Sequence, residues 1–348
     1  MPFKKIITNI MLVIFSLLLA IYAIEIIIHL TEPDFLETRY SITGDFSDFV
    51  NRGFFDASIF NKDPKVFRIL GIGDSFSEFF KGEKLNYQNI LGKELNKLNH
   101  DKKYEVVNAG ISNTGPGYYW NTLERYGDSF KPDLVLIGFF IGNDFYEMNF
   151  DTKRVGLYIN EPVHPKWGPL IYLRFKNLWF YQVGRARWIA WQNSLHKGKG
   201  TFSKDEFLRV EKARLWIFEK SQRDKFNKLW NRNSGVMDKM INWCNQRKIP
   251  LVIVFIPEQI QVDANLRNSL FTKLNISENL IDLYYPNRHL INYLKERGVH
   301  YVDLTKPMQE AAKSKNLYLL RDTHWNLEGH AMAGNMISDY LQKHQLLR

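Results

Sequence analysis

Five residues, spread over most of a 348-residue chain, have the types and neighbours needed to move an acyl group. Ser75 stands in Gly-Asp-Ser-Phe, directly after the apolar run Phe67–Ile72, where a tight turn presents its hydroxyl to solvent. A serine hydroxyl is a weak nucleophile until a neighbouring base takes its proton. Asp322 and His324, in Arg-Asp-Thr-His-Trp-Asn, are two positions apart, so an extended or turn backbone points both side chains the same way. The carboxylate can then hold the imidazole in the useful tautomer and stabilise the imidazolium. Gly110, in Asn-Ala-Gly, lets backbone N–H groups approach a ligand with no side chain between, and Asn143, in Gly-Asn-Asp, offers a neutral amide donor. With the Ser75 N–H these make three donors for an oxyanion, and losing one such donor typically costs roughly 10²–10³ in rate.

Each piece alone has a plainer explanation. Gly-Asp-Ser, Asn-Ala-Gly and Gly-Asn-Asp are ordinary turn sequences, and Asp-Thr-His-Trp is also a helix entry with Asp322 or Asn326 as its cap. What distinguishes the chain is that all four occur in order, three of them at the ends of successive apolar runs. Two competing chemistries fit less well. Gly71-Ile-Gly73-Asp-Ser-Phe76 begins like a dinucleotide fingerprint, but Phe76 occupies the third glycine position. Asp322, His324 and His330 lack the accompanying ligands that a metal centre needs, so no metal or cofactor is expected. His330 reads as a helix-start residue beside the site, and Asp74 and Asp144 as braces of their own turns.

The elements that position these residues alternate. Phe67–Ile72, Tyr104–Asn108, Asp133–Ile141, Leu251–Ile256 and Val299–Leu304 read as five strands. Helical spacing of apolar residues covers Tyr87–Leu98, Tyr118–Phe130 ahead of Pro132, the face Met237, Met240, Ile241 and Cys244, then Leu290–Arg297 and Ala331–Leu341. Strands apolar throughout and separated by helices predict a parallel sheet covered on both faces. In such sheets ligands bind beyond the strand C-termini at the topological switch point. The tripeptides holding Ser75, Gly110 and Asn143 fall at such ends.

On these blocks the chain resembles the SGNH (GDSL-type) hydrolase family: Ser75 in GDSF, Gly110 in NAGISNTGP, Asn143 in GND, and His324 with Asp322 in DTHWN. The resemblance covers about residues 67–144 and 250–341. It implies a three-layer α/β/α flavodoxin-like fold, with Ser75 as nucleophile, His324 as base, Asp322 as orienting acid, and Ser75, Gly110 and Asn143 in the oxyanion hole. The family's hydrolases usually carry Asp-x-x-His; the Asp-x-His of this chain is similar to the motif of SGNH-like polysaccharide O-acetyltransferases.

Residues outside these blocks bear on location and partners. Ile6–Ile24 is a 19-residue run without a charge, preceded by Lys4 and Lys5 and followed by Glu25, Glu32, Asp34 and Glu37. As a helix it spans about 28 Å, close to a bilayer core of ~30 Å. It is longer than a signal-peptide core and ends in no A-x-A-like site, so residues 1–30 are expected to anchor the chain, with a cytoplasmic stub and everything after them extracytoplasmic. Residues 31–66 read as a linker or cap, and 67–348 as the hydrolase-like domain with an insertion at 145–235. Within that insertion, residues 162–204 hold eight Lys or Arg and no Asp or Glu, interleaved with Trp167, Trp179, Trp188 and Trp191; the formal net charge of the whole chain is +10. Packing onto its own domain, lying on anionic headgroups, docking a membrane partner and holding an anionic glycan are all compatible with that composition. A nucleic-acid partner is not expected of an exported domain. The single cysteine, Cys244, excludes an internal disulfide framework.

Together these features predict a membrane-anchored serine esterase removing O-acyl groups, acetyl foremost, from a glycan or related small ester. Entry of a sugar hydroxyl in place of water makes the same machinery an O-acetyltransferase, which would need a polytopic membrane protein to deliver its acyl group. A non-catalytic membrane assembly partner is the third possibility, against which the intact Ser75, Asp322 and His324 argue.

Overall fold

The computed structural model describes residues 62–78, 86–98, 102–112, 114–146 and 200–347, with nine further positions between 8 and 23. The sheet and its helices belong to the compact unit made of residues 41–160 and 198–348. In chain order the described elements are β1 (Val66–Ile72), α1 (Tyr87–Leu98), β2 (Lys103–Asn108), α2 (Pro116–Phe130), β3 (Leu134–Phe140), α3 (Lys204–Leu215), α4 (Arg223–Asn233), α5 (Gly235–Arg247), β4 (Leu251–Ile256), α6 (Gln259–Val262), α7 (Ala264–Leu274), α8 (Tyr285–Glu296), β5 (His300–Asp303), α9 (Thr305–Ala311) and α10 (Leu327–Lys343).

The five strands form one all-parallel sheet in the order β2-β1-β3-β4-β5. This is the flavodoxin-like order, and its switch point lies between β1 and β3, where successive connections leave the sheet on opposite sides. The expected α/β architecture with five parallel strands is therefore present. Alternation along each strand divides the apolar residues between two cores. Leu70, Ile72, Val135, Ile137 and Phe139 pack with Leu123, Met240, Cys244, Leu290 and Leu294 on one face. Ile69, Leu134, Leu136, Val252 and Val254 pack with Tyr87, Leu91, Leu95, Ile337 and Leu341 on the other. The result is three layers, α2, α5 and α8 below the sheet and α1, α9 and α10 above it.

Helix ends follow local chemistry. Pro116 opens α2 after Gly115, and Lys131 closes it in the left-handed region (φ 49°) just ahead of Pro132. Ser203 and Glu206 form a reciprocal capping box at the start of α3. Helices α3 and α4 lie within the stretch assigned to the insertion, yet Leu208, Leu215, Phe226 and Trp230 are buried in the core that backs the sheet. Residues 204–233 are thus part of the domain's body.

Of the aromatic and basic segment 162–204, only residues 200–204 are described, and the linker 31–66 is described only from residue 62. Among the described residues no helix is long and apolar enough to cross a membrane. The expected anchor lies largely outside them; Met11, Leu12, Val13 and Phe15 are helical and expose 57–65% of their surface.

Candidate active site

The turn after β1 is built around Ser77. Its carbonyl accepts from Nδ2 of Asn86 (2.7 Å) and Nδ2 of Asn108 (2.6 Å), and its hydroxyl lies 2.7 Å from the Tyr87 hydroxyl. Asp74 closes the same turn: its Oδ1 accepts from the Phe76 N–H at 3.0 Å, and its carbonyl accepts from Ser77 and Glu78. A methyl group on Gly73 would overlap the Ser77 hydroxyl, so the chain turns here only without a side chain. Burial pushes the Tyr87 hydroxyl up to about 12, which keeps it a neutral hydrogen-bonding partner. Ser75 is left at the crest, half-buried.

The second component is a hairpin between α9 and α10. Tyr318 and Trp325 bridge across it, Leu319 donates to the His324 carbonyl at 3.0 Å, and Arg321 turns the chain in the left-handed region (φ 49°). Asn326 caps α10 by accepting from the Gly329 N–H. Of the two cap candidates, Asn326 therefore takes that role. Asp322 turns instead to the imidazole: its Oδ1 lies 2.6 Å from His324 Nδ1 and also accepts the His324 backbone N–H at 3.0 Å. Nε2 of His324 lies 2.7 Å from Oγ of Ser75, across 249 positions of sequence. Burial alone would raise the Asp322 carboxyl, but the hydrogen bond and charge of His324, with a hydrogen bond from the Thr201 side chain, bring it down to about 2. An ionised carboxylate thus fixes Nδ1 as the protonated nitrogen and leaves Nε2 to accept the serine proton.

Aromatic packing holds the imidazole in place. The ring of Phe76 sits 5.1 Å from that of His324, 5.0 Å from Trp325 and 4.7 Å from Phe140. The residue that broke the dinucleotide fingerprint is the floor beneath the base. His330 lies in the first turn of α10, 97% buried, stacked on Tyr87 and edge-on to Trp325. Burial, then the His324 charge, lowers it to about 4, so it is neutral packing at ordinary pH. Among the described residues no cluster of three or more His, Cys, Asp and Glu is arranged to hold a metal ion.

Gly110 follows β2 and packs against Ser77, where a Cβ would overlap the Ser77 backbone and side chain. Its N–H donates to Oδ1 of Asn108 at 2.9 Å. That donor, expected to face a ligand, is committed within the protein, because Asn108 uses one amide to tie Gly110 to Ser77. Asn143 sits half-buried in the turn after β3, its carbonyl accepting from Tyr146. Behind it, Asp144 braces the turn by accepting the Phe140 N–H at 3.0 Å and the Tyr119 hydroxyl.

Three contributors to the site leave little or no mark in the sequence. Asn108 lies two residues before Gly110, the side-chain-to-backbone spacing of an Asx turn, which is the one signal the sequence holds for its role. Thr201, one of the groups that lower the Asp322 carboxyl, comes from a distant segment, for which no local signal exists. Glu78 is half-buried; burial raises its carboxyl, while the Ser112 backbone and the His324 charge act against that rise.

Comparison with known proteins bears on this arrangement. Residues 214–348 match the family model described as SGNH hydrolase-like domain, acetyltransferase AlgX. Asp322 and His324 lie inside that stretch, whereas Ser75, Gly110 and Asn143 precede it. No curated protein matches in sequence. Among solved structures, the acetylxylan esterase Axe2 from Geobacillus stearothermophilus aligns at 12% identity and a TM-score of 0.40, covering 80% of this chain and 93% of its own. A lipase/acylhydrolase from Enterococcus faecalis aligns at 10% identity and a TM-score of 0.41, covering 80% of this chain and 96% of its own. The chain resembles the SGNH hydrolases, and over residues 214–348 it is similar to the SGNH hydrolase-like domain of the acetyltransferase AlgX.

Proposed function

We propose that this chain is a serine enzyme that moves an acetyl group to or from a glycan hydroxyl through an acetyl-Ser75 intermediate. The observation that carries the reading is the unbroken relay Ser75 Oγ, His324 Nε2, His324 Nδ1, Asp322 Oδ1, with 2.7 and 2.6 Å at its two links. Those are hydrogen-bond distances for a nucleophile and its base.

In the first half-reaction Ser75 Oγ attacks the ester carbonyl carbon while His324 Nε2 takes the hydroxyl proton. The tetrahedral oxyanion collapses, the C–O bond to the leaving alcohol breaks, and His324 returns the proton to that oxygen. In the second half-reaction an acceptor O–H gives its proton to Nε2, its oxygen attacks the acetyl carbon, and Ser75 leaves with the proton restored. With the Gly110 N–H bound to Asn108, the Ser75 N–H and the Asn143 amide are the donors we assign to the oxyanion.

A sugar hydroxyl as acceptor gives an O-acetyltransferase, which the AlgX family match and the Asp-Thr-His-Trp motif support. Water as acceptor gives an acetylesterase, the reading placed first on sequence alone. The transferase is the better supported. We further propose that residues 6–30 tether the enzyme to the cytoplasmic membrane with its domain on the outer side, supported by the uncharged run and the exposed apolar helical positions within it.

Turnover of 4-nitrophenyl acetate by wild type and Ser75→Ala, with and without an oligosaccharide acceptor, tests these readings together. An acceptor-dependent rate with acetylated oligosaccharide as product supports transfer. A serine-dependent rate indifferent to acceptor supports the esterase. Equal rates in the two proteins would leave only a non-catalytic assembly role.

A further inference from the structure

The turn after β3 that carries Asn143 ends in two aromatic residues with opposite fates. Phe145 is buried in the core, its ring 5.0 Å from Phe139 and 4.9 Å from Phe226. Tyr146 follows it outward and exposes 37% of its surface. The Tyr146 N–H donates to the Asn143 carbonyl at 3.0 Å, and a turn closed in that way holds its end residues within about 7 Å of each other. The exposed ring therefore stands on a fixed backbone, next to the residue assigned to the oxyanion.

The chain that leaves α3 supports this ring. Trp216 lies 6.2 Å from Tyr146 with a tilt of 45°. The Lys225 ammonium sits 4.3 Å from the centre of the Trp216 ring, a cation–π distance. Ile217 and Phe218, next in sequence, are buried in the core and pin Trp216 in place. Two residues before Trp216, the Arg214 guanidinium covers the Phe140 ring at 5.2 Å and pairs with the buried Glu258. Phe140 packs in turn on Phe76, the floor beneath His324. One set of contacts, running through the chain from Arg214 to Trp216, thus joins the base to the Tyr146 ring.

We propose that Tyr146 is a substrate-binding residue: its ring seats the C–H face of the acceptor sugar beside Asn143, so that a sugar hydroxyl rather than water reaches acetyl-Ser75. This rests on the acetyl-transfer reading given above and adds the residue that decides between the two acceptors. A tyrosine on a rigid support offers a flat apolar face, a polar edge and only two side-chain torsions to order. That surface matches a pyranose ring, apolar on its C–H face and hydroxylated around its rim. The chemical step is unchanged: the acceptor oxygen attacks the acetyl carbon, its proton goes to His324 Nε2, and the ester bond to Ser75 breaks. Seating the sugar raises the effective concentration of its hydroxyl at the acetyl group, whereas water needs no seat. Loss of the ring therefore turns acetyl-Ser75 from transfer towards hydrolysis.

The test supplies the full-length protein with 4-nitrophenyl acetate as donor and xylohexaose, cellohexaose or hexagalacturonate as acceptor. It reads acetylated oligosaccharide against free acetate, with the Ser75→Ala background subtracted. That ratio belongs to each acetyl-enzyme molecule and does not depend on how much of a variant folds. For Tyr146→Ala it falls about tenfold, the size of one good aromatic contact. Tyr146→Phe keeps the wild-type ratio, and Tyr146→Leu, which packs on Trp216 without a flat face, falls with alanine. Calorimetric titration of the same oligosaccharides into Ser75→Ala and the Ser75→Ala/Tyr146→Ala double variant separates this claim from the enzymatic one. If wild type shows no Ser75-dependent turnover, the enzymatic reading fails, while a Kd weaker by about tenfold in the double variant still upholds the sugar seat. A wild-type ratio in Tyr146→Ala overturns the proposal, and so does leucine behaving like tyrosine. It is equally overturned by a wild type that yields free acetate alone, or by Ser75→Ala binding none of the three oligosaccharides.

Discussion

The ring of Phe76, the residue next to Ser75, lies 5.1 Å from the ring of His324 and is fully buried between it, Phe140 and Trp325. The nucleophile turn and the base hairpin are thus joined by apolar packing as well as by the Ser75–His324 hydrogen bond. Phe76→Ala removes that floor. Loss of about 3–5 kcal/mol is expected from a large-to-small change at such a site, read as a lower urea midpoint. Phe76→Leu should keep most stability yet lose activity, because the imidazole rests on a surface of different shape.

Asp322→Asn keeps the side-chain volume and removes the charge. A drop in kcat of roughly 10⁴ is expected, since the amide no longer enforces the tautomer with Nε2 free. The linkage sign follows from the lowered carboxyl: its stabilisation is present above 3.8 and disappears as pH falls towards about 2. Loss of activity above that window belongs to another group. An acid limb that reports the Asp322 carboxyl at mildly acidic pH would contradict this.

His330 makes the fold acid-sensitive. Its ring is lowered from 6.5 to about 4, first by burial and then by the His324 charge, so the unfolded chain takes up the proton first. Stability is full above 6.5, declines as pH falls towards 4, and is lower by about 3 kcal/mol beneath that. Equilibrium unfolding of His330→Gln across this window should show a flatter pH dependence than wild type.

Glu211 has the opposite sign. It is fully buried on α3, and burial followed by the Glu258 charge raises its carboxyl well above 4.5. Glu258 is itself buried and paired with Arg214 at 3.3 Å. The native state therefore holds the Glu211 proton, and stability is greatest below 4.5 and falls as pH climbs towards the folded value. Glu211→Gln keeps a hydrogen-bond donor and removes that decline. Its melting temperature should gain on wild type steadily as pH is raised above 4.5; parallel curves would refute the assignment.

Gly110 and Asn143 should respond differently to alanine. Gly110→Ala forces a Cβ into Ser77, so the expected loss is of folding stability together with activity. Asn143→Ala should leave the melting temperature within a few degrees and lower kcat roughly 10²–10³. Equal loss of stability in both would mean that Asn143 is structural.

The blocks that carry the chemistry, and the five strands before or between them, were legible because both are local. A buried parallel strand is a short apolar run, and a turn is a few residues of restricted type, so Leu134–Phe140 and Gly-Asn-Asp announce themselves. Helices α3, α4, α6, α7 and α9 were not read. Their buried faces mix apolar with polar residues, as Glu211 does on α3 and Gln259 and Gln261 on α6, and periodicity arguments count such residues as exposed. What the amino-acid order determined by itself is the inventory: a serine at a strand end, an Asp-x-His pair, a parallel α/β body and an uncharged N-terminal run. Only the tertiary structure decided which hydrogen bond each group makes. It assigned Asn326 rather than Asp322 to the helix cap, spent the Gly110 N–H on Asn108, and brought His324 to a serine far back along the chain. Hydrogen bonds depend on distances of a few tenths of an ångström between segments remote in sequence, and nothing in the types of residues encodes those distances until the sheet has folded.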